Sequence, residues 1–151
     1  MIAYRGDCDV EPLNYPNENN GYCSEQLFSI KLGNTEIVAV HIQAVDSRKE
    51  MRELSRYSQN EGLKKLSDYM KTKKPDVVLG DFNLSREELS KKFKVSNFDI
   101  VSAGYSFADI DIDFSGGNIY HALSKNAGAC IKYISDVQTH LTTAMFVEIK
   151  C

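Results

Sequence analysis

The run Val77-Val78-Leu79-Gly80-Asp81-Phe82-Asn83 constrains this chain more than any other segment, because three consecutive apolar residues leave no side for water. Preceded by Pro75 and broken at Gly80, it reads as a short buried strand. Residues two apart on an extended chain face the same way, so the strand is expected to deliver Asp81 and Asn83 together to a sheet's end. A carboxylate binds a hard, oxygen-seeking cation such as Mg²⁺. An amide beside it can donate to a phosphate oxygen or position a water without adding repulsive charge. The same residues also read as a turn in which the Asp and Asn side chains bond nearby backbone, and both readings are open at this point.

Ile37 to Ile42 is a second apolar run, expected to be a buried strand with His41 near its end, followed by Gln43, Ala44 and a polar loop. Ahead of it, Leu27, Ser29 and Lys31 alternate with Phe28, Ile30 and Leu32, the period of a half-buried strand. Gly33-Asn34 supplies a tight turn between the two, which predicts a hairpin. From about Ser47 to Lys71, Met51, Leu54, Ser58, Leu63, Leu66 and Met70 recur near helical spacing, so a helix is predicted whose apolar stripe covers a sheet. Arg56 and Gln59 on that helix are expected to form a solvent-facing polar pair, with bracing of the cleft loops the other role open to them. Ser85-Arg86-Glu87-Glu88 is a capping box that starts a short helix through about Phe93, so Ser85 is assigned to capping rather than to nucleophilic chemistry.

Segments near 2–5, 100–102, 119–124, 129–134 and 142–149 read as further strands. Asp7 to Ser24, rich in Asn, Asp, Glu, Pro and Gly, reads as a long exposed loop. Strands interleaved with helices predict an α/β (α+β) layered arrangement. At 151 residues, 42% of them hydrophobic, the chain is expected to be one domain with a substantial core.

The order His41, Gln43-Ala44, a helix carrying Arg56-x-x-Gln59-x-x-x-Leu63, the Gly-Asp-Phe-Asn run and a final His140-Leu141 step resembles the endonuclease/exonuclease/phosphatase family, the deoxyribonuclease I-like group. The resemblance runs from about Ile37 onward, more loosely from Met1. It implies an incomplete version of a layered β-sandwich flanked by helices, and a metal-dependent phosphodiester hydrolase of nuclease-like or phospholipid phosphodiesterase-like type. By the same resemblance Asp81 and Asn83 would orient the attacking water and the scissile phosphate. His41 and His140 would stabilise the pentacoordinate phosphate or protonate the leaving oxygen. Mg²⁺ or Mn²⁺ would be the cofactor.

The chain departs from the family pattern in three places. The family closes with Ser-Asp-His, whereas Gln138 and Thr139 precede His140; a three-residue insertion would let Asp136 serve as the second metal-binding carboxylate, but the gapless alignment is preferred. The family also carries an Ile-Asp-His-like step whose aspartate holds the last histidine, and here that step reads Ile119-Tyr120-His121. His121 is expected to be a hydrogen-bonded structural histidine. Finally, family domains are longer and place a metal-binding glutamate and a phosphate-contacting asparagine in first strands that this chain does not show. These departures keep a second expectation open, a catalytically eroded member that binds a protein or nucleic acid. An incomplete core would also expose a sheet edge or apolar face, so a partner chain or homo-oligomer is expected.

A formal charge of -3 argues against strong general affinity for nucleic acid, which is driven by release of phosphate counterions. Lys64, Lys65, Lys71, Lys73 and Lys74 are expected to be a solvated helix end that complements the helix dipole. Cys8, Cys23, Cys130 and Cys151 lack paired zinc spacing. Asp109, Asp111 and Asp113 start like a calcium loop but lack its glycine and closing glutamate, Phe114 and Tyr120 standing there instead. Arg5, Asp7, Asp9 and Glu11 interrupt any apolar leader and no run is long enough to span a bilayer, so an intracellular location, cytoplasmic or nuclear, is expected.

Overall fold

A computed structural model of the chain describes residues 9–12, 26–108 and 119–125. Six strands and two helices follow in the order β1 (Asp9–Pro12), β2 (Gln26–Leu32), β3 (Thr35–His41), α1 (Lys49–Lys73), β4 (Val77–Asp81), α2 (Arg86–Val95), β5 (Ser106–Phe107) and β6 (Tyr120–Ser124). They build one mixed sheet in the order β1-β2-β3-β4-β6-β5. β3 and β4 are its parallel pair, with Ile37 beside Val77 and His41 beside Asp81, and the other neighbours run antiparallel. A parallel pair needs a crossover, and α1 supplies it.

Alternation along the strands splits their side chains into two sets. Leu27, Val38, Val40, Ile42, Val78 and Leu123 face Leu63, Leu66 and Met70 of α1 and Leu89 and Phe93 of α2. Each such side chain taken fully out of water contributes roughly 2 kcal/mol, so the helical layer is held mainly by this seam. On the other face Ile30, Ile37 and Val77 are buried too, with Leu32 and Leu79 against them. Burial on both faces is why β3 and β4 are apolar without interruption rather than alternating.

The predicted hairpin is β2–β3, with Gly33 at φ 59 in its turn. The predicted capping box is also present: Ser85 Oγ accepts from the Glu88 N–H at 3.3 Å, and Glu88 accepts from the Ser85 N–H at 3.0 Å. Two expectations are corrected. Asp9–Pro12, read as loop, is an edge strand, because backbone pairing to the free side of β2 requires no apolar pattern and an edge tolerates proline. Residues 100–102, read as strand, form a turn in which Asp99 Oδ1 accepts from the Ser102 N–H at 2.8 Å and Tyr105 N–H donates to the Ile100 carbonyl at 2.9 Å. Ile100 is buried and Val101 is 80% exposed, so a turn satisfies the pair where a sandwiched strand would not. The strands read at 2–5, 129–134 and 142–149, the four cysteines and the Asp109–Asp113 run lie outside the described residues.

At the end of the sheet where β3 and β4 begin, Glu36 and Asp76 lock the two strands. Glu36 N–H donates to Asp76 Oδ2 at 2.8 Å and Asp76 N–H donates to the Glu36 carbonyl at 2.9 Å. Ser29 and Tyr69 both donate their hydroxyls to Glu36 Oε1. Tyr105 donates to the Pro75 carbonyl at 2.8 Å, and its hydroxyl is pushed up to about 12, chiefly by burial and then by the Asp76 and Glu36 charges. Polar chemistry at the opposite end is thereby left free of this scaffold role. None of the described helices is long and apolar enough to cross a membrane.

Candidate active site

His41, Asp81 and Tyr120 form a row across three adjacent strands, because His41 is the register partner of Asp81 and Asp81 that of Tyr120. Register partners on neighbouring strands project to the same face. His41 is exposed, while Asp81 and Tyr120 are half-buried. Gly80 makes the row possible: its φ is 144, and a Cβ there would lie 2.0 Å from the Val40 carbonyl oxygen. No side chain fits at this position of β4.

Asn83 does not continue the strand. β4 ends at Asp81, and Asn83 turns into the left-handed region at φ 50. Asp81 Oδ1 accepts from the Asn83 N–H at 2.9 Å, and Asn83 Nδ2 donates to the Ile42 carbonyl at 2.8 Å. The shared extended face is thus replaced by the turn that the Gly-Asp-x-Asn pattern also allowed, since Asp and Asn hold such turns through their own backbone. The turn still keeps Asn83 beside Asp81, and its amide retains one N–H and its oxygen for a ligand.

Burial raises the Asp81 carboxyl above its ordinary value, opposed by the Asn83 hydrogen bond and by the nearby His41 and His121. A carboxylate held at this cost gains from a cation placed against it. Among the described residues no three His, Cys, Asp or Glu side chains gather into a cage. Asp81 is a carboxylate at this end of the sheet that could hold a cation such as Mg²⁺, an ion that keeps several waters and is commonly held by one or two carboxylates together with substrate phosphate.

His121 points to the other side of β6. It is buried between Phe82 and Phe107, with centroids at 5.7 and 5.6 Å, and its Nε2 lies 2.8 Å from the Leu84 carbonyl. A carbonyl only accepts, so Nε2 carries the proton. Desolvation lowers its pKa and keeps the ring neutral. His121 is the structural histidine expected, and it pins the turn that follows Asn83.

Gln59 takes the second of the two roles left open for it, bracing a loop, in place of the preferred solvent-facing one. The expected solvent-facing pair is split: Arg56 is exposed and bonds Glu53 at 2.9 Å, whereas Gln59 is 2% exposed and donates through Nε2 to the Gln43 carbonyl at 3.0 Å. A few positions earlier on α1, Ser55 Oγ accepts from the Asp46 N–H at 2.8 Å. The loop after His41 is therefore sewn to α1. A pocket of about 360 Å³ opens beside Asn83, lined by Gln59, Arg56, Val45 and Lys92 among others. His140 and Asp136 lie outside the described residues.

No family model and no curated protein matches this sequence. Solved structures do match. The endonuclease domain of TRAS1, a telomere-specific non-LTR retrotransposon, superposes with a TM-score of 0.55 at 12% identity over 98% of this chain and 71% of its own. CdtB, the biologically active subunit of cytolethal distending toxin, gives 0.51 at 14% identity, over 94% of this chain and 56% of its own. At such identities the likeness is one of fold. The chain has a deoxyribonuclease I-like fold.

Proposed function

We propose that the chain is a divalent-metal-dependent phosphodiester hydrolase, nuclease-like or phospholipid phosphodiesterase-like. The observation that carries this reading is the pairing of an exposed imidazole, His41, with a half-buried carboxylate, Asp81, across parallel neighbours, and Asn83 turned in beside them. Asp81 would hold Mg²⁺ or Mn²⁺, which when bound neutralises charge on the phosphate. The amide of Asn83 orients the scissile phosphate or the attacking water. His41 stabilises the charge gathered on the phosphoryl oxygens or protonates the departing oxygen as the water–phosphorus bond forms, the water gives its proton to solvent and the ester bond breaks. His140, and Asp136 in the gapped alignment, are proposed to complete the site. Their family roles come from the resemblance alone.

Tyr120 favours a second reading. A phenol stands opposite Asp81, where the resemblance expects a carboxylate, and a site with one acid fewer suits a module that binds a protein or nucleic acid without cleaving it.

Hydrolysis of plasmid DNA, RNA, sphingomyelin and a chromogenic phosphodiester with Mg²⁺ or Mn²⁺ tests the choice. The hydrolase reading expects turnover that Asp81→Ala and His41→Ala each abolish. Turnover that survives both substitutions overturns the site, and binding of nucleic acid without turnover in the whole panel favours the second reading.

A further inference from the structure

Two amide side chains hold two consecutive peptide carbonyls immediately after His41. Asn83 Nδ2 donates to the Ile42 carbonyl at 2.8 Å and Gln59 Nε2 donates to the Gln43 carbonyl at 3.0 Å. Ile42 N–H also donates to the Asp81 carbonyl at 2.8 Å, which extends the β3–β4 ladder one residue past the strand. The N–H and the carbonyl of Ile42 are thus both committed, and the far end of the clamp is a buried helix residue. Asn83 and Gln59 also line the same pocket of about 360 Å³, so the two amides are neighbours in space.

We infer that Gln59 is a positioning residue for the candidate site: by fixing the Gln43 carbonyl, it orients the Ile42 carbonyl, and through that carbonyl the Asn83 amide beside Asp81. The inference rests on the hydrolase reading for its catalytic consequence, although the clamp itself does not need turnover. A buried amide inside a helix core is destabilising unless its hydrogen bonds are made. Gln59 sits where α1 passes the start of the loop, beside the Gln43 carbonyl, whereas Ser55 holds the loop further along, at the Asp46 N–H. Ser67 provides the contrast. It is equally buried on α1, but its hydroxyl bonds only its own helix, at the Lys64 carbonyl.

Gln59→Glu tests the clamp within one folded sample, because a neutral carboxyl can donate to the Gln43 carbonyl and its anion cannot. The readout is the side-chain amide signal of Asn83 and the ring signals of His41 by NMR, followed across a pH titration with the parent and Ser67→Ala as references. The expected result is parent-like signals at acid pH and displaced signals once the introduced carboxyl ionises, with Ser67→Ala unchanged. Signals that follow the parent at every pH, or an equal displacement in Ser67→Ala, overturn the inference. Gln59→Met, nearly isosteric and without a donor, gives the displaced signals at all pH values if the clamp is real, and parent-like signals if it is not. In an active preparation, misplacement of this kind lowers kcat roughly 100-fold with KM nearly unchanged. Displaced signals in a protein that hydrolyses no diester would keep the clamp and defeat the hydrolase reading. Turnover that Gln59→Met leaves intact would do the reverse.

Discussion

Gly80 brings β4 so close to β3 that a Cβ on it would lie 2.0 Å from the carbonyl oxygen of Val40. The atom met is backbone and cannot rotate away. The backbone angle at Gly80 is one that side chains rarely adopt, so Gly80→Ala combines a clash with conformational strain. The expected loss is on the order of 3 kcal/mol, read as a shift in the urea midpoint. A loss below about 1 kcal/mol would mean that the strands separate easily and that the His41–Asp81 register is soft.

Asp81 should be a site of conflict between stability and function. Burial raises its pKa above the ordinary 3.8, so the folded state binds the proton more tightly than the unfolded chain. The stability tied to the protonated form is complete below 3.8 and is lost as pH rises through the raised value. Asp81→Asn removes that loss and keeps an oxygen for the Asn83 N–H. It should therefore melt at a higher temperature than the parent at neutral pH and at the same temperature in strong acid, while abolishing any hydrolysis. A melting temperature at or below the parent's at neutral pH would show that the charge is compensated by a partner.

Ser85 offers an independent check on α2. Its N–H, and then its hydroxyl, hold the Glu88 carboxyl below the ordinary 4.5. A lowered carboxyl contributes stability that is present above 4.5 and lost as pH falls through the lowered value. Ser85→Ala should cost about 1 kcal/mol at neutral pH, and less in acid, where the parent has already lost the hydroxyl's bond to the Glu88 carboxylate. An equal cost at both pH values would assign the effect to the bond that the Ser85 hydroxyl accepts from the Glu88 N–H, which does not depend on ionisation.

What the sequence disclosed and what it hid divide along local and long-range lines. The Gly33-Asn34 hairpin and the Ser85 capping box are settled within a few residues, so local chemistry decides them. Gly-Asp-Phe-Asn pointed to the end of β4 as a candidate site, but the path of Asn83 depends on the Ile42 carbonyl, 41 residues away, and strand and turn looked alike. Gln59 was ambiguous for the same reason: a glutamine on a helix is usually solvated, and the Gln43 carbonyl that makes its burial tolerable is a long-range partner. The edge strand Asp9–Pro12 left no apolar trace because pairing with β2 uses backbone alone. Tyr120 could be noticed as a departure from the family step, yet its place opposite Asp81 follows from register, which no single strand encodes.

That register supplies a metal-linked prediction. Tyr120→Asp would set a second carboxylate directly opposite Asp81 on the neighbouring strand, and like charges in such positions repel. Without divalent cation the variant should be less stable than the parent at neutral pH, and acid should relieve the loss as one carboxyl protonates. Mn²⁺ placed between the two acids reverses the sign of their interaction, so the variant should recover stability with Mn²⁺ and bind it roughly tenfold tighter than the parent, an order suggested by the effect of added carboxylates on hard-cation sites. Thermal unfolding with and without Mn²⁺, together with the electron paramagnetic resonance signal of free Mn²⁺, reads both effects. A variant destabilised equally with and without the ion would show that Asp81 and position 120 do not share a site that a cation can enter.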